Sequence, residues 1–197
     1  MLVTDDELLA GRDVIEVCRA AVRGGVTCVQ LRLKRLPPRR LAETARALRG
    51  ALKVPLIIND RPDVARVADA WVHLGPDDVP VSLARRVLPG GTVIGASAGT
   101  ADEALRAGEA DYWGVGPLNG STTKTDAGVA LGIEGFRSIV AVAEGKPCVA
   151  IGGVRPSDVA AVLAAGGAGV AVVSGILGAA DVEAAARDYA EALGIQR

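Results

Sequence analysis

Val26-Thr-Cys-Val-Gln-Leu31 is β-branched and nearly all apolar. A strand with apolar residues at successive rather than alternate positions is buried on both faces, as the strands of a parallel sheet are. Helical patterns flank it. Upstream, Val14, Val17, Cys18, Ala21 and Val22 recur at i, i+3, i+4 spacing and stop at Gly24-Gly25, which suits a helix C-terminus. Downstream, Pro37-Pro38 opens a helix that runs through Leu41, Ala45 and Leu48 to Gly50.

The same alternation runs the length of the chain. Leu2-Val3 reads as a truncated opening strand. Val54–Ile58 is a strand, followed by a short helix from Asp63 to about Val67 and the strand Trp71–Leu74. Val81–Leu88 reads as helix and Thr92–Ser97 as strand. Thr100 then caps a helix with Glu103 at the spacing of a capping box. Asp111–Gly116 is the next strand, and a helix is predicted from about Leu131 to Glu144. Pro147–Ile151 is a strand, Ser157 starts a helix that stops at Gly166-Gly167, Gly169–Val173 is the last strand, and Val182–Leu193 is the closing helix. Eight buried strands, each followed by a helix over a short connection, imply parallel pairing and close into a (β/α)8 TIM barrel. A doubly wound open sheet would call for a Gly-rich turn after its first strand, which is absent here. No linker or low-complexity segment interrupts the pattern, so residues 1–197 read as a single domain.

Composition narrows the function. Half of the 197 residues are hydrophobic and 23% are charged, within the globular range. A net charge of −1 and 3% aromatic residues give neither the field nor the stacking platforms for nucleic acid, and no field for an anionic membrane. No apolar run approaches the ~20 residues of a membrane span, and the opening residues lack a basic and long apolar leader. Cys18, Cys28 and Cys148 lie inside apolar patterns without Cys-x-x-Cys spacing, as buried free thiols of a cytoplasmic protein would. The partners implied are small molecules; homo-oligomerisation is left open.

In such barrels ligands bind where loops leave the carboxyl ends of the strands. Gln30, Arg32 and Lys34 alternate after the second strand and can share a face. Asn59, Asp60 and Arg61 follow the third, His73, Asp77 and Asp78 the fourth, and Ser97 ends the fifth. The sixth exit, Gly114–Gly128, contains Ser121, Thr123 and Lys124, with glycines and hydroxyls suited to a phosphate. The chain has four lysines, so Lys124 and Lys34 at strand exits stand out. Gly152-Gly153 and Val173-Ser174-Gly175 follow the last two strands, where barrels commonly seat a monophosphate. Asp60 and Asp78 are hard oxygen donors suited to Mg²⁺. Arg32, Lys34 and Lys124 could stabilise a departing diphosphate beside it. His73, the sole histidine, lies inside a strand and reads as a satisfied core or rim residue.

These stretches resemble the thiamine phosphate synthase family. The resemblance rests on Gly-Gly-Val-Thr-Cys-Val-Gln-Leu-Arg (24–32), Ile-Ile-Asn-Asp-Arg (57–61), Val-His-Leu-Gly (72–75), Gly-Val-Gly-Pro and Thr-Lys-Thr-Asp (within 114–126), Ala-Ile-Gly-Gly-Val (150–154) and Val-Ala-Val-Val-Ser (170–174). It implies a transferase that joins a hydroxymethylpyrimidine diphosphate to a thiazole phosphate, the diphosphate leaving first and the thiazole nitrogen capturing the pyrimidinylmethyl cation. It also implies that Asp60 and Asp78 hold Mg²⁺, and that Gln30, Arg32, Lys34, Asn59 and Lys124 contact the diphosphate and pyrimidine. Ser97 would stand beside the pyrimidine and reacting centre, with Arg32, Lys34 and Lys124 assisting catalysis. Ser121, Thr123, Gly153, Val173 and Ser174 would hold the thiazole phosphate.

The chain departs from the family pattern in two places: Leu33 stands where a glutamate is usual, and the central loop reads Gly120-Ser-Thr-Thr-Lys where the family often has Pro-Thr-x-Thr-Lys. The related thiazole tautomerases share the barrel, but carry an acid–base histidine after the fifth strand where this chain has Gly99. A barrel that only binds a phosphorylated metabolite is the remaining alternative. The intact cations and carboxylates argue against it.

Overall fold

The computed structural model describes residues 1–120 and 129–195. Its strands are β1 (Leu2–Val3), β2 (Val29–Leu31), β3 (Leu56–Asn59), β4 (Trp71–Leu74), β5 (Ile94–Ser97), β6 (Tyr112–Val115), β7 (Cys148–Ile151) and β8 (Gly169–Ala171). All eight pair in sequence order, each parallel to the next. The ends meet as well. Val3 N donates to Val172 O at 2.9 Å and Val172 N to Met1 O at 3.0 Å, next to a parallel bridge between Leu2 and Val172. The sheet is therefore a closed (β/α)8 barrel, and the open-sheet alternative is excluded.

Around it lie α1 (Val14–Arg23), α2 (Pro38–Ala51), α3 (Pro62–Ala68), α4 (Val81–Val87), α5 (Ala101–Arg106), α6 (Gly132–Ala141), α7 (Val159–Ala164), α8 (Ser174–Leu177) and α9 (Val182–Ala192). Strand side chains alternate between faces. Leu31, Ile58, Val72, Leu74, Ile94, Val115 and Ala150 point outward and pack with Leu41, Ala45, Leu48, Val64, Phe136 and Val162 of the helices. Their neighbours in sequence point inward, so the residues between core positions are the ones that reach the barrel lumen. None of the described helices is long and apolar enough to cross a membrane.

Local readings needed five corrections. β2 begins at Val29 rather than Val26. The helix before Gly166 opens as a 3₁₀ turn, Pro156–Asp158, because Pro156 supplies no N–H while Asp158 turns back to accept from Arg155 N at 2.8 Å. α6 ends at Ala141, where the chain turns through Glu144 and Gly145 at φ of 51° and 82°. α8 was not foreseen. The Thr100 cap forms, accepting from Glu103 N at 3.1 Å, but Glu103 Oε2 accepts from Gly99 N at 2.7 Å, one residue beyond the expected partner. The three cysteines are free, and burial pushes the thiols of Cys18 and Cys28 up to about 12 and about 11. Such thiols are neutral and poor nucleophiles.

Candidate active site

Inward-facing residues line a cavity of about 570 Å³ at the carboxyl ends of the strands. Sheet register sets neighbours across it: Asn59 pairs with His73, His73 with Gly95, and Ser97 with Gly114. Two of these positions are glycine because their space is taken. A Cβ at Gly95 would overlap the Tyr112 ring, and one at Gly114 would stand 2.9 Å from His73 Cε1. His73 therefore lies across the lumen, its Nδ1 3.1 Å from Tyr112 Oη and its Nε2 3.3 Å from Ser97 Oγ. Both ring nitrogens are engaged, as expected of a satisfied histidine.

At the β3 and β4 exits stand two carboxylates. Asp60 adopts a left-handed backbone (φ 62°) and donates its N–H to His73 O at 2.8 Å, which turns the chain sharply off β3. Asp78 Oδ2 accepts from Gly75 N at 2.6 Å. Burial, followed by a hydrogen bond with the Asp60 carboxyl, pushes Asp78 up to about 6 even though the Gly75 N–H pulls the other way. Lys34 Nζ lies 3.0 Å from Asp60 Oδ2. Two carboxyls sharing a hydrogen bond are a pair that a cation would relieve. Their hard oxygens fit Mg²⁺, which is commonly bound by one or two carboxylates plus water and substrate phosphates.

Arg32 is anchored rather than free. Its Nη1 lies 3.0 Å from Asp5 Oδ2, with the two side chains 17% and 14% exposed, and its backbone N donates to Thr4 Oγ1 at 2.8 Å. Asp6 accepts from Lys34 N at 2.8 Å, so the loop after β1 braces the loop after β2. Among the described side chains lining the cavity are five carboxylates, Asp5, Asp60, Asp77, Asp78 and Glu103, against the two cationic side chains of Arg32 and Lys34. Negative charge predominates on this described lining.

β7 and β8 lie four strands round the barrel from β3 and β4, hence across the lumen. Gly152 and Gly153 leave β7 in left-handed conformations (φ 91° and 62°), pressed against Pro117 and the Gly120 carbonyl, where side chains would not fit. Asn119 ties this turn down, donating to Gly153 O at 3.1 Å and Asp158 Oδ2 at 2.9 Å. Val173 and Ser174 enter the lining at the start of α8.

The family model described as thiamine monophosphate synthase matches residues 1–176. The chain belongs to the thiamine monophosphate synthase family. It is 44% identical over 196 residues to the thiamine-phosphate synthase of Moorella thermoacetica, covering 96% of this chain and 93% of that protein. To the enzyme of the same name from Azorhizobium caulinodans it is 49% identical over 195 residues, 94% and 90% of the two chains. The solved structure of thiamine phosphate pyrophosphorylase from Pyrococcus furiosus superposes with a TM-score of 0.87 at 35% identity, over 98% of this chain and 94% of that one.

Of the residues that resemblance to thiamine monophosphate synthases assigned to the site, Gln30, Arg32, Lys34, Asn59, Asp60, Asp78, Ser97, Gly153, Val173 and Ser174 all line the one cavity. Ser121, Thr123 and Lys124 lie outside the described residues. Sequence reasoning missed Asp5, Glu103 and Tyr112. Asp5 was within reach, two residues on from Val3 and so on the same strand face. Tyr112 keeps the same two-residue spacing from Gly114. Glu103 had no such signal, because a cap reaching one residue further back depends on the loop's path.

Proposed function

We propose that the chain, as a cytoplasmic thiamine-phosphate synthase, joins 4-amino-2-methyl-5-hydroxymethylpyrimidine diphosphate to 4-methyl-5-(2-phosphoethyl)thiazole, with Mg²⁺ held by Asp60 and Asp78. The products are thiamine phosphate and diphosphate, which makes the reaction a transferase reaction. The charge of the cavity carries this reading. A lining with five carboxylates and two cationic side chains among its described residues repels a bare diphosphate, yet accepts one that arrives with a divalent cation.

Bound there, the ion would supply positive charge to the leaving oxygens. The chain's own residues do the rest. Arg32, fixed by Asp5, and Lys34 face the departing diphosphate and favour heterolysis of the C–O bond, the electron pair leaving with oxygen. Lys124 takes the same role by resemblance. The methylene cation is captured by the lone pair of the thiazole nitrogen, so no base of high strength is needed. Ser97, held 3.3 Å from His73 Nε2, orients the pyrimidine, while Gly153, Val173 and Ser174 (with Ser121 and Thr123 by resemblance) keep the thiazole phosphate within reach. The tautomerase alternative meets an obstacle at Gly99, where a Cβ would overlap the Gly116 carbonyl. A histidine does not fit there without moving the backbone at Gly116, just past β6.

The test is a coupling assay with the two substrates, following thiamine phosphate and diphosphate together. Stoichiometric release that stops on adding chelator and returns with Mg²⁺ is the expected result. Turnover that survives exhaustive chelation would remove Asp60 and Asp78 from the mechanism.

A further inference from the structure

Tyr189 lies in α9, beyond residue 176 where the family match ends. It is 6% exposed, and its hydroxyl donates to Val154 O at 2.9 Å inside the protein. Val154 directly follows Gly152-Gly153. The same hydroxyl lies under the next loop: a Cβ built on Gly175 would overlap it, and would stand 3.0 Å from Val172 Cγ1. One oxygen therefore meets the underside of both loops that close the β7–β8 side of the cavity.

The oxygen is itself held in place. Cβ atoms built on Gly24 and Gly25 would come within 2.5 Å of Ala186 Cβ and Ala190 Cβ, so the end of α1 sits flush on α9. Asp181 Oδ1 caps α9 by accepting from Ala184 N at 3.0 Å. A phenylalanine ring would fill the same space. What the hydroxyl adds is a fixed distance to one loop by hydrogen bond and to the other by contact.

We propose that Tyr189 is a positioning residue for the thiazole phosphate, setting the spacing between Gly153 and Ser174 from behind. This rests on the reading that these two loops bind that phosphate. Tyr189 touches no substrate; its hydroxyl acts through the backbone of Val154 and Gly175.

Steady-state kinetics with each substrate varied in turn tests the proposal. Tyr189→Phe is expected to raise KM for the thiazole phosphate roughly tenfold, the scale of one lost buried hydrogen bond. KM for the pyrimidine diphosphate should stay within about twofold, as this hydroxyl lies on the far side of the barrel. Gly175→Ala should raise the same KM by pushing against the hydroxyl. The combined variant should be milder than Gly175→Ala alone, since removing the oxygen clears the space. A Tyr189→Phe enzyme whose thiazole KM is unchanged, or whose two KM values rise together, overturns the proposal. Ser174→Ala separates the layers. If it raises the thiazole KM while Tyr189→Phe does not, the tyrosine's role alone falls; if both are flat, the phosphate reading of these loops falls with it.

Discussion

Ionising both Asp60 and Asp78 places two negative charges within one hydrogen bond of each other, and Lys34 answers Asp60 directly. The raised Asp78 has a definite linkage sign. A carboxyl whose folded-state pKa lies near 6, above its unfolded value of 3.8, stabilises the fold while protonated and loses that contribution as pH rises from about 4 through 6. Mg²⁺ binding the ionised pair should reverse the loss. Added Mg²⁺ is therefore expected to raise the melting temperature more at pH 7.5 than at pH 5, read by differential scanning fluorimetry. An equal shift at both pH values would mean the ion binds elsewhere. Asp78→Ala should reduce turnover at least about 100-fold by removing one of the two carboxylates proposed to hold the ion. His73→Gln, which keeps a polar group between Tyr112 and Ser97, should cost less than about tenfold. A larger loss for His73→Gln than for Asp78→Ala would reassign the chemistry to the histidine.

At the scale of elements, stability and activity should separate. Asp13 caps α1 through Oδ1, which accepts from Ile15 N at 2.8 Å and Glu16 N at 3.3 Å, and it does not line the cavity. Asp13→Ala should lower the unfolding free energy by about 1 kcal/mol in urea titrations, with kcat and both KM values unchanged. Where local chemistry alone decides, as in this helix or in Trp71–Leu74, the sequence pattern marked the element closely. It failed where tertiary contacts decide. α8 has four residues, too few for a period to show, and exists because the chain must turn back from β8 toward α9. Val26 to Cys28 have the composition of a strand, yet β3 starts at Leu56 and pairs with β2 only from Val29 onward. Propensity cannot see where a partner strand begins.

For the whole molecule, the legible part of the site followed from one rule. Ligands bind at the carboxyl ends of a barrel's strands, which is how Gln30, Asn59 and Ser97 could be gathered from sequence as polar residues at those exits. What the rule does not convey is charge balance. Asp5 belongs to β1's exit and Arg32 to β2's, and the β1–β2 register that sets Val3 beside Gln30 brings them to 3.0 Å, so the cation expected for a phosphate arrives already paired. With Lys34 likewise on Asp60, both described cationic side chains of the cavity are neutralised before substrate binds. A diphosphate must then displace carboxylates or bring its own counter-charge, and at separations near 4 Å in a partly buried site such terms amount to several kcal/mol. Product diphosphate should consequently bind at least about 100-fold more tightly with Mg²⁺ than in chelator, a difference of roughly 2.7 kcal/mol, measurable by isothermal titration calorimetry. Lys34→Met discriminates further. If Lys34 neutralises Asp60 in the free protein, that variant should bind Mn²⁺ alone more tightly than the parent does, as read by electron paramagnetic resonance. Arg61→Met removes the same charge from a side chain paired with Asp63 instead, and should leave Mn²⁺ affinity unchanged. Equal shifts in the two variants would reduce the effect to general electrostatics. Diphosphate binding that ignores Mg²⁺ would show that the carboxylates do not govern the cavity at all.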